Sequence, residues 1–317
     1  MRRTNPKLWV ALAIVYTVWG STYLAIRVAV ETLPPFLMAS VRFLIAGGIL
    51  YTFSIRRGAR EADRPGFRQW RAAAIVGTLL FLGGNGGVVW AEQRVASGVA
   101  ALIVASVPLW MALIAFVALK ERLPRVAVAG LVVGFAGTAL LIRPSGSSHI
   151  DLAGALVLVG ASVSWAIGTL YAARAPLPLR GGVSAGMQLL CGGVVLGFVG
   201  IASGEFGRID AGSFSRSSLI ALAYLIVFGA IIAFSAYSWL VQNAPPAIVS
   251  TYAYVNPAIA VLLGWAFLNE QVASTTLVAG AVIVVAVAMI VGSRTKMREG
   301  EPAAGAPAVD EPLAAEA

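Results

Sequence analysis

Eight side chains able to hold a small solute interrupt the apolar runs of this sequence: Trp19, Tyr23, Asn85, Ser106, Trp165, Thr169, Tyr252 and Asn256. Indole and phenol rings offer flat apolar faces with one polar edge, and amides and hydroxyls both donate and accept hydrogen bonds. Trp19, Asn85, Trp165 and Asn256 fall near the middle of their runs, too deep for the aromatic belt that anchors helices at a membrane surface. Trp90 and Trp239 lie closer to run ends and fit that belt. For Trp19 and Trp165 two readings stand, the lining of a polar cavity and packing between helices. Bond-making chemistry is not on offer. No Asp, Glu or His lies inside a run, so neither a nucleophile with its base nor a pair of intramembrane acids is present, and no enzyme is expected. The acids nearest the runs, Glu92, Glu121 and Glu270, are terminal.

The other chemistry-bearing residues are sparse. One histidine, His149 in a polar loop, and one cysteine, Cys191 in an apolar run, form no metal cluster and no disulfide framework. No GxxxxGK(S/T) loop is present, so neither a nucleotide nor any other cofactor is expected. Two arginines, Arg27 and Arg42, lie within runs, where a charge costs roughly 2.5–3.5 kcal/mol at a helix centre. Arg27 has Glu31 one helical turn later, a spacing suited to an ion pair. Arg42 has no acid in its own run; it either holds helix-end carbonyls or faces a cavity. Pro108 and Pro257 each fall deep in a run, where the missing N–H frees the carbonyl four residues earlier. In hydrocarbon that carbonyl needs a neighbouring helix or water. The pair reads either as two hinges or as static kinks that aid packing.

The elements that position these residues follow from composition. The chain has 317 residues, 59% apolar and 12% charged, against about 25% charged in a soluble domain. Ten runs approach the length of a membrane-crossing helix, over 8–30, 36–55, 72–91, 96–118, 126–142, 152–174, 183–203, 217–240, 246–268 and 273–292. A cleaved signal peptide is not expected, because the first run is too long for one and another run follows at once. The net charge of +9 is a topology signal rather than a nucleic-acid footprint. Of 23 Lys and Arg, only Arg94, Arg143, Arg208 and Arg216 fall on one side, while Arg27 and Arg42 lie inside runs and the rest share the other side. That bias puts both termini in the cytoplasm. The acidic, Ala- and Pro-rich end of the segment 293–317 suggests a disordered cytoplasmic tail.

Two stretches carry the same punctuation. Residues 90–121 slide onto 239–270 with no gap, placing Trp90 on Trp239, Gln93 on Gln242, Pro108 on Pro257 and Glu121 on Glu270. A weaker echo links VWGSTYLAIR (18–27) to SWAIGTLYAAR (164–174). Each copy holds five runs, 8–142 and 152–292, and an odd number makes the second copy enter the membrane from the opposite side. The expected fold is therefore an all-α polytopic membrane protein, ten transmembrane helices in two inverted five-helix repeats. Secondary transporters use that plan to hold a substrate near the midplane. The first, third, fourth, sixth, eighth and ninth runs carry the polar and aromatic residues. They include Ser235, Tyr237 and Ser238 in the eighth and Ser250, Thr251 and Tyr254 in the ninth. The fifth and tenth runs are plain. Gly130 and Gly134 in the fifth have close-packing spacing, so these two runs are expected at the periphery or at a homodimer contact.

The stretches 18–50, 84–113 and STYAYVNPAIAVLLGWAFLNE (250–270) resemble the EamA family of the drug/metabolite transporter superfamily, in its branch of inner-membrane exporters. The likeness spans about residues 8–292. It implies ten helices built from two EamA repeats around a central cavity lined by helices 1, 3, 4, 6, 8 and 9. It also implies export of small metabolites, such as amino acids, or amphiphilic compounds from a bacterial cytoplasm, by alternating access. With no buried carboxylate inside a run, a neutral, zwitterionic or carboxylate-bearing metabolite is expected, and no proton relay through a mid-membrane acid. The rival readings are a non-transporting membrane scaffold or sensor and multidrug efflux of organic cations.

Overall fold

A backbone in hydrocarbon must satisfy its own N–H and C=O groups, so an apolar run folds as helix. Helix forms along each run in the computed structural model, which describes residues 6–56, 65–121, 123–142, 151–244, 248, 251–270 and 273–300. The long helices are α1 (Pro6–Ala29), α2 (Pro35–Arg56), α3 (Phe67–Ala91), α4 (Ser97–Val117), α5 (Arg125–Ile142), α6 (Leu152–Ala172), α7 (Gly181–Ala202), α8 (residues 216–243), α9 (Tyr252–Leu268) and α10 (Ser274–Gly300). Eight of them are long and apolar enough to cross a membrane; apolar helices over residues 125–141 and 255–268 are shorter. No strand occurs among the described residues. Helix α10 runs to Gly300, past residue 293 where a disordered tail was expected. Residues 301–317 and the loop holding His149 lie outside the described residues.

Helix ends are closed by acids and by backbone turns. Asp151 accepts from the Gly154 N–H at 2.6 Å and starts α6, and Ser215 accepts from the Ser218 N–H at 3.0 Å and starts α8. The two copies of the repeat stop their fourth helix identically. Lys120 and Asn269 both take the left-handed conformation, at φ 55° and 51°. The next N–H then reaches back six residues, Glu121 to Ala115 O at 3.0 Å and Glu270 to Gly264 O at 3.1 Å. Each bond satisfies a carbonyl that the helix end leaves open.

The halves are interleaved rather than side by side. Helix α1 packs against α8 and α9, and its counterpart α6 packs against α3 and α4. Helix α2 pairs with α7, and α5 with α10. Bare glycines allow these approaches. A Cβ on Gly77 would lie 2.5 Å from the Gln188 carbonyl of α7, and one on Gly186 would lie 2.7 Å from the Tyr51 nitrogen of α2. The Gly130 and Gly134 pair is used in the same way within the chain. A Cβ on Gly130 would meet the Ala286 carbonyl of α10 at 2.9 Å, and one on Gly134 would meet Leu109 at 2.5 Å. The opposite face of α5 is bare, with Val132 67% exposed.

Three of the long helices, α3, α4 and α8, are interrupted. Helix α3 is α-helical to Gly77, π-helical over Thr78–Gly86 and α-helical again from Gly87. Helix α8 repeats this with a π segment over Leu225–Ile232. Helix α4 breaks at Ala105–Ser106, so that Pro108 falls in the first turn of the segment Val107–Val117, where a missing N–H is harmless. Its counterpart Pro257 sits differently: α9 is continuous from Tyr252 to Leu268 with Pro257 inside it.

The α3–α7 contact generates a test. Gly77→Ala should lower stability by about 1–3 kcal/mol, because the added methyl meets backbone that cannot turn away. Gly48→Ala, whose Cβ would have nothing within 4 Å, should hold or raise stability. Thermal melting of the purified protein in detergent compares them.

Candidate functional site

Trp19 sits at the seam between halves. Its ring centre lies 5.0 Å from that of Tyr237 in α8 and 5.4 Å from that of Tyr252 in α9, edge-on. Phe234 lies 6.4 Å away and passes the contact on to Phe81, which packs on Phe43 at 4.7 Å. Trp19, Tyr237 and Tyr252 are each only partly buried, and their rings form one aromatic wall. Below it α1 is tied to α9: the Tyr16 hydroxyl bonds Thr251, and the Asn256 amide, its nitrogen so turned, reaches the carbonyls of Tyr16 and Tyr252 at 3.2 Å. Asn256 is thus a buried tie between helices. Tyr23 is partly buried and packs on the main core.

The two π segments face the first helix of the opposite half. A π segment closes its bonds over five residues and widens the helix. In α3 the Ser164 hydroxyl of α6 donates to the Leu79 carbonyl of that segment at 2.8 Å. In α8 the Trp19 indole N–H donates to the Gly229 carbonyl at 3.3 Å. Trp165, the counterpart of Trp19, rests on bare Gly84: a Cβ there would lie 2.6 Å from its ring. Asn85 is the next residue and is partly exposed. The structure therefore brings Trp19, Tyr252 and Asn256 together, and separately Trp165 and Asn85.

Other expected residues are engaged elsewhere. Ser106 is fully buried and donates to Ile103 O at 2.6 Å, sealing the break in α4. Thr169 donates to Trp165 O at 2.8 Å within its own helix. Arg27 does not form the pair expected with Glu31. Its guanidinium instead donates to the backbone carbonyl of Glu92, 65 residues away, because that carbonyl is buried beside it while Glu31 points to the exterior. Arg42 is 5% exposed, lies 4.8 Å over the Phe43 ring, and has no hydrogen-bond partner at Nε or Nη1. Ser250, and the side chains of Ser238, Gln242 and Tyr254, lie outside the described residues. A groove of about 910 Å3 opens between α4, α9 and α10, with Pro257, Trp265 and Glu270 in its wall. Of the expected site residues, only Pro257 borders it.

Three acids were missed as structural elements. Glu205 accepts from the Phe36 and Leu37 N–H groups at 3.2 and 2.9 Å and so closes the start of α2. Glu270 accepts from the Ser97 and Gly98 N–H groups at 2.8 and 3.2 Å and closes the start of α4. A carboxylate is favourable at a helix N-terminus, where N–H groups are open and the dipole is positive. Glu92 is fully buried, with both carboxyl oxygens unpartnered. The available signal was spacing: only residues 92–95 separate the third and fourth runs, too few to carry a side chain clear of the helices. Glu121 lies 3.2 Å from Arg174, both about half exposed.

A model of the EamA-like transporter family matches residues 7–143 and again 152–292. The chain is 40% identical over 285 residues to the uncharacterized inner membrane transporter YedA of Escherichia coli (strain K12), covering 89% of this chain and 90% of that protein. It is 26% identical over 297 residues to the uncharacterized transporter YvbV of Bacillus subtilis (strain 168), covering 93% and 95%. A solved crystal structure shares the fold with a TM-score of 0.62 at 20% identity, over 94% of this chain and 100% of that one.

The crossed donors generate a test. Ser164→Ala and Trp19→Phe each remove a hydrogen bond between the halves, at a cost of about 0.5–1.5 kcal/mol. Thr169→Ala removes a bond made only within α6 and should change melting far less. Equal melting shifts in all three would show that the crossed bonds have no special weight.

Proposed function

The chain belongs to the EamA-like transporter family, and on that premise we propose that it is a secondary exporter of small metabolites working by alternating access. It is a multi-pass inner-membrane transporter; direction, solute and cycle are the proposal. In this reading ten helices cross the membrane as two inverted five-helix repeats with both termini in the cytoplasm. The Lys and Arg bias supports that arrangement, and the two shorter apolar helices complete the count.

The observation that carries the reading is the crossed pair of donors, Ser164 to Leu79 O and Trp19 to Gly229 O. Each joins the first helix of one half to a locally unwound turn of the other, beside a glycine. Such turns take up backbone change at little cost. The π segments, the α4 break at Pro108 and the proline of α9 are therefore the hinges of the cycle. Rocking about them opens the Trp19 wall to one side and then the other.

The solute class follows from the wall. Trp19, Tyr237 and Tyr252 offer apolar faces with polar edges, which suits an amphiphilic metabolite such as an amino acid. The rings alone would hold a cation by only ~1–2 kcal/mol. The buried acid, Glu92, stands with Arg27 and Arg42 rather than with them. Organic cations are therefore the weaker reading.

Metabolites released by cells overproducing the chain, compared with cells lacking it, identify the solute. Excess amino acids or organic acids, at least several-fold, should appear and be lost in Trp19→Ala. Selective efflux of quaternary ammonium dyes would replace this reading with the cation one. Pro108→Ala with Pro257→Ala should insert normally and transport slowly; wild-type rates in that double variant would remove the prolines from the hinge set.

A further inference from the structure

Glu92 is the first residue beyond the span Phe67–Ala91. Its side chain is completely buried, and neither carboxyl oxygen has a hydrogen-bond partner. An ionised carboxylate so placed is costly unless paired, and the usual escape is to hold a proton. The groups within electrostatic reach come from three elements: Tyr23 and Arg27 of α1, Arg42 of α2, and Glu270 at the end of α9. Two of them are committed. Arg27 holds the Glu92 backbone carbonyl, and Glu270 holds the first N–H groups of α4. Asp151, at the neighbouring start of α6, holds Gly154. Tyr23 and Arg42 remain, and of these Arg42 is the cation, with Nε and Nη1 unpartnered and buried beside the π segment of α8, where its Nη2 lies 3.1 Å from the Cβ position of Gly229.

We propose that Glu92 is a proton-binding site that couples the closure between α4 and α9 to pH, with Arg42 as its counter-ion in the open arrangement. This rests on the transporter reading above. In the arrangement described, the Glu270 contacts with Ser97 and Gly98 seal this end of the molecule, and Glu92 is neutral. When α4 withdraws from Glu270, water reaches Glu92, its O–H proton passes to water, and the carboxylate pairs with Arg42. Resealing returns a proton from water to Glu92 and frees Arg42 to lie against Phe43. The site is at a helix end, so it stands beside the expectation of no mid-membrane relay and differs from it in substance: a terminal acid can be sealed from water. Burial pushes the Glu92 carboxyl well above the usual carboxylate range, the Glu270 charge adds to this, and Arg27 and Arg42 oppose it.

Two measurements on the whole purified protein in lipid vesicles test this without any solute. Infrared titration from about pH 5 to about pH 9, a window above the usual Glu value, should reveal a protonated carboxyl band at neutral pH. The band should vanish in Glu92→Gln and persist in Glu31→Gln. Glu270→Gln removes a neighbouring negative charge and should move the band's midpoint down, by up to about one pH unit. Stability should follow. A carboxyl raised on folding holds a proton that the unfolded chain releases, so stability is lost as pH rises above about 4.3, the unfolded value. The melting temperature should therefore fall across the same range in the wild type and stay flatter in Glu92→Gln. A band that survives Glu92→Gln, a midpoint that Glu270→Gln leaves in place or raises, or an unchanged melting slope would overturn the proposal. None of these outcomes depends on transport, so failure here leaves the exporter reading to its own test. If both stand, transport by the wild type should change several-fold with the pH bathing this end, and Glu92→Gln should not follow it.

Discussion

A carbonyl without a donor inside hydrocarbon costs several kcal/mol, and the arrangement of this protein depends on where such carbonyls are answered. Regular helix answers its own. The π turns of α3 and α8 also draw a side-chain donor from the first helix of the other half. Those donors join α6 to α3 and α1 to α8, so the two five-helix units are tied into one another rather than packed as separate bundles. The glycines beside the π turns serve the same end. Gly83 and Gly84 carry no Cβ because Ser164 and Trp165 occupy the space one would fill.

The ends of the helices obey a related rule with charge added. Glu205 and Glu270 each reach the open N–H groups of a helix remote in sequence, α2 and α4. Both bonds cross from the second half to the first. Unlike a solvent-facing cap, each also decides which helices meet at one end of the bundle. The repeated Glu of the two long stretches therefore has a structural meaning in at least one copy. Lys120 and Asn269, left-handed in both, are the turns that aim Glu121 and Glu270.

Much of this was legible in the sequence, and the failures have physical causes. Apolar length fixed the helices, and the 149-residue offset between Trp90 and Trp239 exposed the duplication. Trp19 stood out because it lies too deep in its run for the aromatic belt. The π turns left no comparable trace, because they keep near-helical side-chain periodicity; only the glycine cluster at 83–87 hinted at a close approach. The two prolines read alike in sequence and sit differently: Pro108 follows a break where Ser106 bonds back to Ile103, whereas Pro257 is carried within a continuous helix. Arg27 was matched to Glu31 by spacing along one helix, although a buried carbonyl 65 residues away offered a drier partner. Terminal acids were treated as wet because they are terminal, and Glu92 is the exception. Burial at a helix end depends on how short the next link is.

The interleaving also bears on how the chain comes together during synthesis. When α5 has left the ribosome, the Leu79 carbonyl still has no Ser164, the start of α4 has no Glu270, and Gly47 and Gly77 face no α7. The first half is then a set of inserted helices with the start of α4 uncapped and the grooves for α7 bare. Emergence of α6 and α7 fills the grooves, and α9 with its trailing acid completes the start of α4. Neither half completes its own contacts, and a chain truncated between them would present membrane quality control with an uncapped helix and unfilled grooves rather than a smaller finished protein.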